Sequence, residues 1–142
     1  MDNKKTETKT KPAFSMSDFN ITDKSEEGVK INLFLPDGTE TGHYLTIRGA
    51  DSPSFKRAHA RVQRENLKIL KLQKGDKEID PGVIAQKQAR IHTRMVAALV
   101  IGWSFDQEAT QENVIAFLET APQIQEQVDQ AAGERTNFFK KP

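Results

Sequence analysis

The longest uninterrupted apolar run in the chain is Met95-Val-Ala-Ala-Leu-Val-Ile101. A segment with no polar face has to be covered on every side, so this run fixes where the core must lie. Seven residues are far too few to cross a bilayer, which takes about 20. Upstream of the run, Ile84, Ile91, Met95, Ala98 and Leu99 fall at helical spacing. Asp80-Pro81 is a helix-start signal, because proline suits the first helical position. The pattern predicts a helix over about 81–101 whose last two turns are buried all round.

The other elements arrange themselves around that helix. Val29 to Leu35 is apolar and β-branched, Pro36-Asp-Gly38 is a turn signal, and His43 to Ile47 alternates. Together they predict a β-hairpin over 29–48 with a loop of about six residues. Val29, Ile31 and Leu33 share one face, whereas the second strand offers either Tyr44 with Thr46 or Leu45 with Ile47. A lone hairpin is marginal in water and must rest on helices or on another chain. Ser52 and Pro53 then begin a helix over about 52–73, with Phe55, Val62 and Ile69 on one face. Thr110 caps a short helix over about 111–119, and Pro122 opens a last one over about 122–132, closed by Gly133. The expected fold is mainly α with a small N-terminal β-hairpin (α+β). A compact four-helix domain, 28–142, follows a disordered tail, 1–27, whose first residues are rich in Lys and Thr.

Chemistry is conspicuous by what is missing. There is no cysteine, which removes disulfides, zinc–thiolate sites and thiol nucleophiles. His43, His59 and His92 stand in none of the spacings that metal sites use, and read as structural residues. No nucleophile elbow, phosphate-binding loop or dinucleotide fingerprint is present. The sequence therefore predicts no catalytic residue, no metal, no cofactor and no enzyme activity. No apolar stretch follows the N-terminal lysines, so no secretory leader is expected.

The formal net charge of +1 hides a segregation. From Arg48 to Arg94 there are 12 basic and 5 acidic residues, while Ser104 to Glu134 holds seven acidic residues and no Lys or Arg. Arg57, Arg61, Arg64, Lys68 and Lys71 are spaced to lie along one helix face, opposite Phe55, Val62 and Ile69. Lined-up like charges repel by a few tenths of a kcal/mol per neighbouring pair. A partner of opposite charge relieves this repulsion. Nucleic acid is disfavoured by the near-neutral total and by the absence of interleaved aromatics. The acidic C-terminal half of a neighbouring copy would fit, giving head-to-tail self-association through the basic stripe.

Three segments in order resemble the tail assembly chaperones of long-tailed bacteriophages. They are Leu45-Thr-Ile-Arg-Gly-Ala-Asp-Ser-Pro-Ser-Phe55, then Leu99-Val-Ile-Gly-Trp103, then Glu112-Asn-Val114 with Pro122-Gln-Ile-Gln-Glu-Gln-Val128 and Arg135-Thr-Asn-Phe138. The resemblance spans about Val29 to Phe139, with an insertion near Gly75 to Asp80. It implies a protein of the host cell cytoplasm that binds the tape measure protein and keeps that long helical chain soluble. It further implies recruitment of tail tube protein and absence from the finished particle. Many such chaperones also exist as a longer frameshift product, and the run Phe138-Phe-Lys-Lys141 is compatible with slippery codons. A holdase needs exposed apolar surface, for which the hairpin edge, Trp103 with Phe105, and Phe138 with Phe139 are the candidates; Trp103 reads rather as core, and Phe138 and Phe139 could equally fold back onto the bundle. The alternatives are a structural tail or head–tail connector protein and a small nucleic-acid-binding regulator.

Overall fold

The computed structural model describes residues 12–73 and 80–139. Most of the Lys/Thr-rich leader, the greater part of the inserted loop and Lys140-Lys141 lie outside the described residues. In chain order the elements are a 3₁₀ turn Met16–Phe19, α1 Ile21–Glu27, β1 Val29–Phe34, β2 Glu40–Ile47, α2 Pro53–Gln73, α3 Pro81–Ala97, β3 Val100–Trp103, α4 Gln111–Thr120, α5 Pro122–Gly133 and α6 Thr136–Phe139. The chain is mostly helical with one small antiparallel sheet, ordered β1-β2-β3.

The hairpin pairs Val29 with Ile47 and Ile31 with Leu45. Side chains alternate across a strand, so Val29, Ile31, Leu33, Leu45 and Ile47 share a face. Leu45 and Ile47 are wholly buried, whereas Tyr44 and Thr46 lie half-buried on the opposite side. This settles which pair of the second strand meets the core. Against that face pack Val96, Leu99, Val114, Leu118, Ile124 and Val128, contributed by the α3–β3 junction, α4 and α5.

Two expectations need correcting. The helix expected to reach about 101 ends at Ala97, and Val100–Trp103 is a third strand paired to β2. The apolar run is buried only in part: Val96, Ala97, Leu99 and Val100 are at 2% exposure or less, Met95 and Ala98 are half-buried and Ile101 is exposed. Its periodicity could not separate a buried helix end from a buried strand. The strand wins because β2 would otherwise present an open edge of unpaired N–H and C=O groups, and Val100 and Ile101 are β-branched. A register shift between Thr46 and Ile47 leaves Ile101 as the extra residue and turns it outward.

The second correction concerns the tail, expected to be disordered through residue 27. Residues 16–19 form a turn and 21–27 form α1. Asn20 caps α1 by accepting from the Asp23 N–H at 3.1 Å. A seven-residue helix is too short to hold itself in water. Tertiary contacts hold it, and they converge on the segment between β2 and α2. Arg48 N–H donates to Leu99 O at 2.8 Å, Gly49 N–H to Ser25 O at 3.0 Å and Ala50 N–H to Ala132 O at 2.9 Å. Asp51 accepts from Arg135 Nε at 2.7 Å and from Nη2 at 3.1 Å. Ser52 Oγ donates to Glu26. Five consecutive residues thus reach the α3–β3 junction, α1, α5, the turn before α6, and α1 again.

The helix starts follow their capping signals. Ser52 Oγ accepts from the Phe55 N–H at 3.1 Å, Asp80 accepts from the Gly82 N–H at 2.9 Å, and Thr110 accepts from the Asn113 N–H at 3.2 Å. Beyond Val62, α2 buries little, and Leu67 and Leu70 are exposed. Most of the first half of α3 is exposed as well. These two stretches extend past the core.

Gly28 joins α1 to β1 at φ 85°, and a Cβ there would sit 2.6 Å from Ile47 O. The backbone conformation alone costs about 1–3 kcal/mol for any other residue, before the clash. Gly28→Ala is expected to lower the unfolding free energy by at least that much, and the thermal midpoint with it, read by circular dichroism. An unchanged midpoint would show that the α1–β1 junction is not fixed as described.

Candidate partner-binding surfaces

Helices α2 and α4 both pack on α3 and leave a groove between them. It consists of two depressions, of about 890 and 580 Å³, that share Arg94, Glu112 and Ile115. On α2 the groove runs from Ser54 to Ile69, about 22 Å of helix axis at 1.5 Å per residue. Its apolar lining includes Val62, Ile69, Ile91 and Ile115. Cations ring the α2 and α3 sides, namely Arg57, Arg61, Lys68, Lys87 and Arg90, while Glu112 and Glu119 stand on the α4 side. At the groove a forked ion pair joins α3 to α2: Arg94 Nη2 donates to Glu65 Oε1 at 2.9 Å, and Nη1 pairs with Oε2. This hydrogen bonding holds the Glu65 carboxyl below its usual range and raises Arg94 above its own.

The basic stripe is exposed along its whole length, but it does not act as a single line. Arg57, Arg61 and Lys68 edge the groove, whereas Arg64 and Lys71 do not line it. Among the described residues, none of the five forms an ion pair. Arg57 Nη2 donates to Ser54 Oγ at 3.1 Å.

A second apolar surface lies beside the hairpin, where β3 and the residues after it meet α4. Trp103, Phe105 and Phe117 meet edge-on or tilted with centroids 5.2 to 5.8 Å apart, a geometry that aromatic quadrupoles favour. His43 stacks on Phe105 at 4.4 Å and its Nδ1 lies 2.8 Å from Ser104 Oγ. Trp103 Nε1–H donates to Gln107 O at 2.6 Å. Trp103 and Phe105 are half-buried, so they present an edge to solvent while anchoring β3 to α4. Phe105 and Phe117 help line a pocket of about 240 Å³ bounded by Leu33, Phe34, Leu35 and Ile124.

The α2–α4 groove is an apolar recess with a charged rim and the pocket beside the hairpin an apolar recess lined by no Lys, Arg, Asp or Glu, and among the described residues no cluster of His, Asp or Glu is arranged to hold a metal. They suit the holding of another chain. A family model described as phage tail assembly chaperone matches residues 1–135. The chain belongs to the phage tail assembly chaperone family. No match was found among curated proteins or among solved structures. Tail assembly chaperones are not an enzyme family. No described helix of this chaperone is long and apolar enough to cross a membrane.

Of the aromatic candidates, Phe138 requires correction. It is 5% exposed, and its Cε2 would lie 3.0 Å from a Cβ on Gly49. A ring packed into the notch that Gly49 leaves open has no surface to offer a partner. Phe139, next in sequence, is 39% exposed, and Lys24 Nζ sits 4.9 Å from its ring centroid. The aromatic pair therefore divides into a core residue and a surface residue.

Sequence reasoning passed over Glu26, which organises the start of α2. Its carboxylate accepts from Ser52 Oγ, Ser54 Oγ and, at 3.0 Å, the Ser54 N–H. An anion at a helix N-terminus also meets the positive end of the helix dipole. Hydrogen bonds from Ser52 and then Ser54 lower the Glu26 carboxyl from 4.5 to about 2, with a smaller contribution from Arg48, whose Nε is 3.6 Å away. Nothing local marks Glu26, because its partners lie 26 and 28 residues downstream. The groove's α4 side was missed as well, since Glu112 and Ile115 acquire meaning only once α3 brings α4 opposite α2.

Phe138→Ala should cost about 3–5 kcal/mol of stability, whereas Phe139→Ala should cost no more than about 1. Denaturant unfolding of the two variants checks this, and equal effects would contradict the division. A depressed carboxyl contributes stability that is full above its ordinary value near 4.5 and is lost as the pH falls through about 2. Thermal midpoints measured from pH 5 to pH 2 should therefore drop more steeply in the native chain than in Glu26→Gln. Parallel curves would remove Glu26 as the cause.

Proposed function

We propose that this chaperone binds the phage tape measure protein in the host cell cytoplasm and keeps it soluble. It also helps bring tail tube protein to the growing tail and is left out of the finished virion. The observation that carries this reading is the α2–α4 groove. A tape measure protein is a long helical chain with apolar stripes, and an amphipathic helix laid into an apolar groove is a recurring mode of recognition. The groove has the length for about four helical turns. Its rims carry opposite charges on opposite sides, which favours one orientation of the bound helix. No reacting group is required for this task.

The edge of the Trp103–Phe105–Phe117 cluster offers a second contact, for a client segment or for a tube subunit. Its rings are already packed on one another, so little side-chain freedom is lost on binding.

Co-expression with the tape measure protein of the same phage tests the reading. The native chaperone is expected to raise soluble client at least several-fold. Ile115→Glu, which puts a charge on the groove floor, should abolish most of that gain while the chaperone's own helical signal persists. Undiminished solubilisation would move the client site elsewhere. Mass spectrometry of purified virions should find the tail tube protein without the chaperone. Finding it in stoichiometric amount would instead make it a structural tail component.

A further inference from the structure

The two halves of the α2–α4 groove differ in charge. The half toward Ile69 is lined by Lys68, Lys87, Arg90 and Arg94 together with Glu65, Glu112 and Glu119, so cations and carboxylates nearly balance. The half at the start of α2 is a recess of about 580 Å³ lined by four arginines, Arg48, Arg57, Arg61 and Arg94, and by one carboxylate, Glu112. The charge therefore changes along the groove as well as across it.

These arginines come from separate parts of the fold. Arg48 directly follows β2, Arg57 and Arg61 stand one turn apart on α2, and Arg94 lies on α3. Their own partners satisfy them unevenly. Arg94 is taken up by Glu65. Arg57 gives one bond to Ser54 Oγ, and among the described residues neither Arg57 nor Arg61 forms an ion pair. Arg48 Nε is a buried donor with no hydrogen-bond partner, and the Glu26 carboxylate beside it is 3.6 Å away. Glu26 cannot come closer to serve it, because Ser52 and Ser54 hold both of its oxygens. A buried N–H without a partner lowers stability, and like charges one turn apart repel. The recess is therefore short of an anion.

We propose that this recess is an acidic-residue subsite: it takes two carboxylate side chains, one turn apart, at one end of the client helix. The inference rests on the reading that the groove holds a client helix. It adds the chemistry the client segment must carry and the way it lies, with its acidic end at the start of α2 and its apolar stripe running toward Ile69. Arg57 and Arg61 have the same one-turn spacing as the two carboxylates of such a helix, so each can meet one. Guanidinium groups bond carboxylates through two parallel N–H donors, which fixes geometry as well as charge. Nucleic-acid phosphates could use the same donors, yet Val62, Val100 and Ile115 line the recess too and would have no use for a phosphodiester chain. Arg64 and Lys71, which a phosphate backbone following α2 would also meet, lie outside the groove. An aliphatic helix with an acidic end uses both the apolar and the basic lining.

Two helical peptides of about 16 residues, the span of the groove along α2, test this by fluorescence anisotropy against the full chain. Both carry the same leucine stripe. One has two glutamates one turn apart at one end, and the other has glutamines there. The native chain should bind the glutamate peptide about tenfold more tightly at low salt, and the advantage should vanish at about 1 M salt, where charges are screened within about 3 Å. Arg57→Gln with Arg61→Gln should erase the preference and leave the affinity for the glutamine peptide unchanged. Arg64→Gln with Lys71→Gln removes the same charge from the same helix outside the recess and should leave the preference intact. All four positions are exposed, and unchanged thermal midpoints verify that the fold is retained. Equal affinity of the native chain for the two peptides would overturn the subsite and leave the tape measure reading standing. Failure of both peptides to bind would overturn the groove as a helix site and the subsite with it. A preference that survives the Arg57 and Arg61 changes, or that falls equally in both variants, would reduce the effect to general surface charge and overturn the proposal. So would a short single-stranded DNA that displaces the glutamate peptide mole for mole, which would put phosphate in the recess instead.

Discussion

The structure hangs on residues 48–52, the short bridge between the last residue of β2 and the first turn of α2. Each of these five residues bonds to a different place: Leu99, Ser25, Ala132, Arg135 and Glu26. A bridge this short has no side chains to spare for a core, yet three of its backbone N–H groups and two of its side chains tie down four other parts of the chain. Gly49 makes this possible. A Cβ at that position would lie 2.6 Å from Ser25 Oγ and 3.0 Å from the Phe138 ring, so neither α1 nor α6 could approach. The sheet, the C-terminal helices and the N-terminal helix are thereby fixed to one point, and α2 leaves that point in a set direction with its first turn capped by Ser52 and Glu26.

That arrangement explains which parts of the fold were legible in the sequence. Signals carried by neighbouring residues were readable: Ser52-Pro53, Asp80-Pro81, Thr110 and Pro122 mark the helix starts, and the turn at Pro36-Asp-Gly38 marks the hairpin. Signals carried by distant residues were not. Val100–Trp103 is a strand only because β2 lies beside it, and α1 is a helix only because Ser25 and Glu26 find the bridge. The same rule divides the candidate site. The basic stripe was legible because helical spacing suffices to align it. The groove that uses three of its members was not, since that depends on α3 setting α4 opposite α2. Phe138 and Phe139 looked equivalent in sequence, and the Gly49 notch separates them.

A chaperone of this family has to hold a client without altering it, and the charge distribution is consistent with that task. The cations are gathered on α2 and α3 and the carboxylates on α4 and α5, so the groove between them has a basic and an acidic side. Strong attraction to one rim would trap a client. For the client binding proposed above, two rims of opposite sign over an apolar floor would give orientation together with an association that salt and competition can reverse. Glu65 and Arg94 are part-exposed but satisfy each other, whereas among the described residues the rim cations Arg57, Arg61, Lys68, Lys87 and Arg90 form no ion pair.

The bridge also sets the order in which the molecule can be made. Its partners lie as far back as Ser25 and as far forward as Arg135 and Phe138, close to both ends of the described chain. Contacts of such long range close late in folding. During synthesis α1 waits for the bridge, the bridge waits for α5 and α6, and the β2 edge waits for β3. Residues up to about 138 must have left the ribosome before the last of these contacts can form. This member of a chaperone family therefore passes through a stage in which its own apolar surface is uncovered.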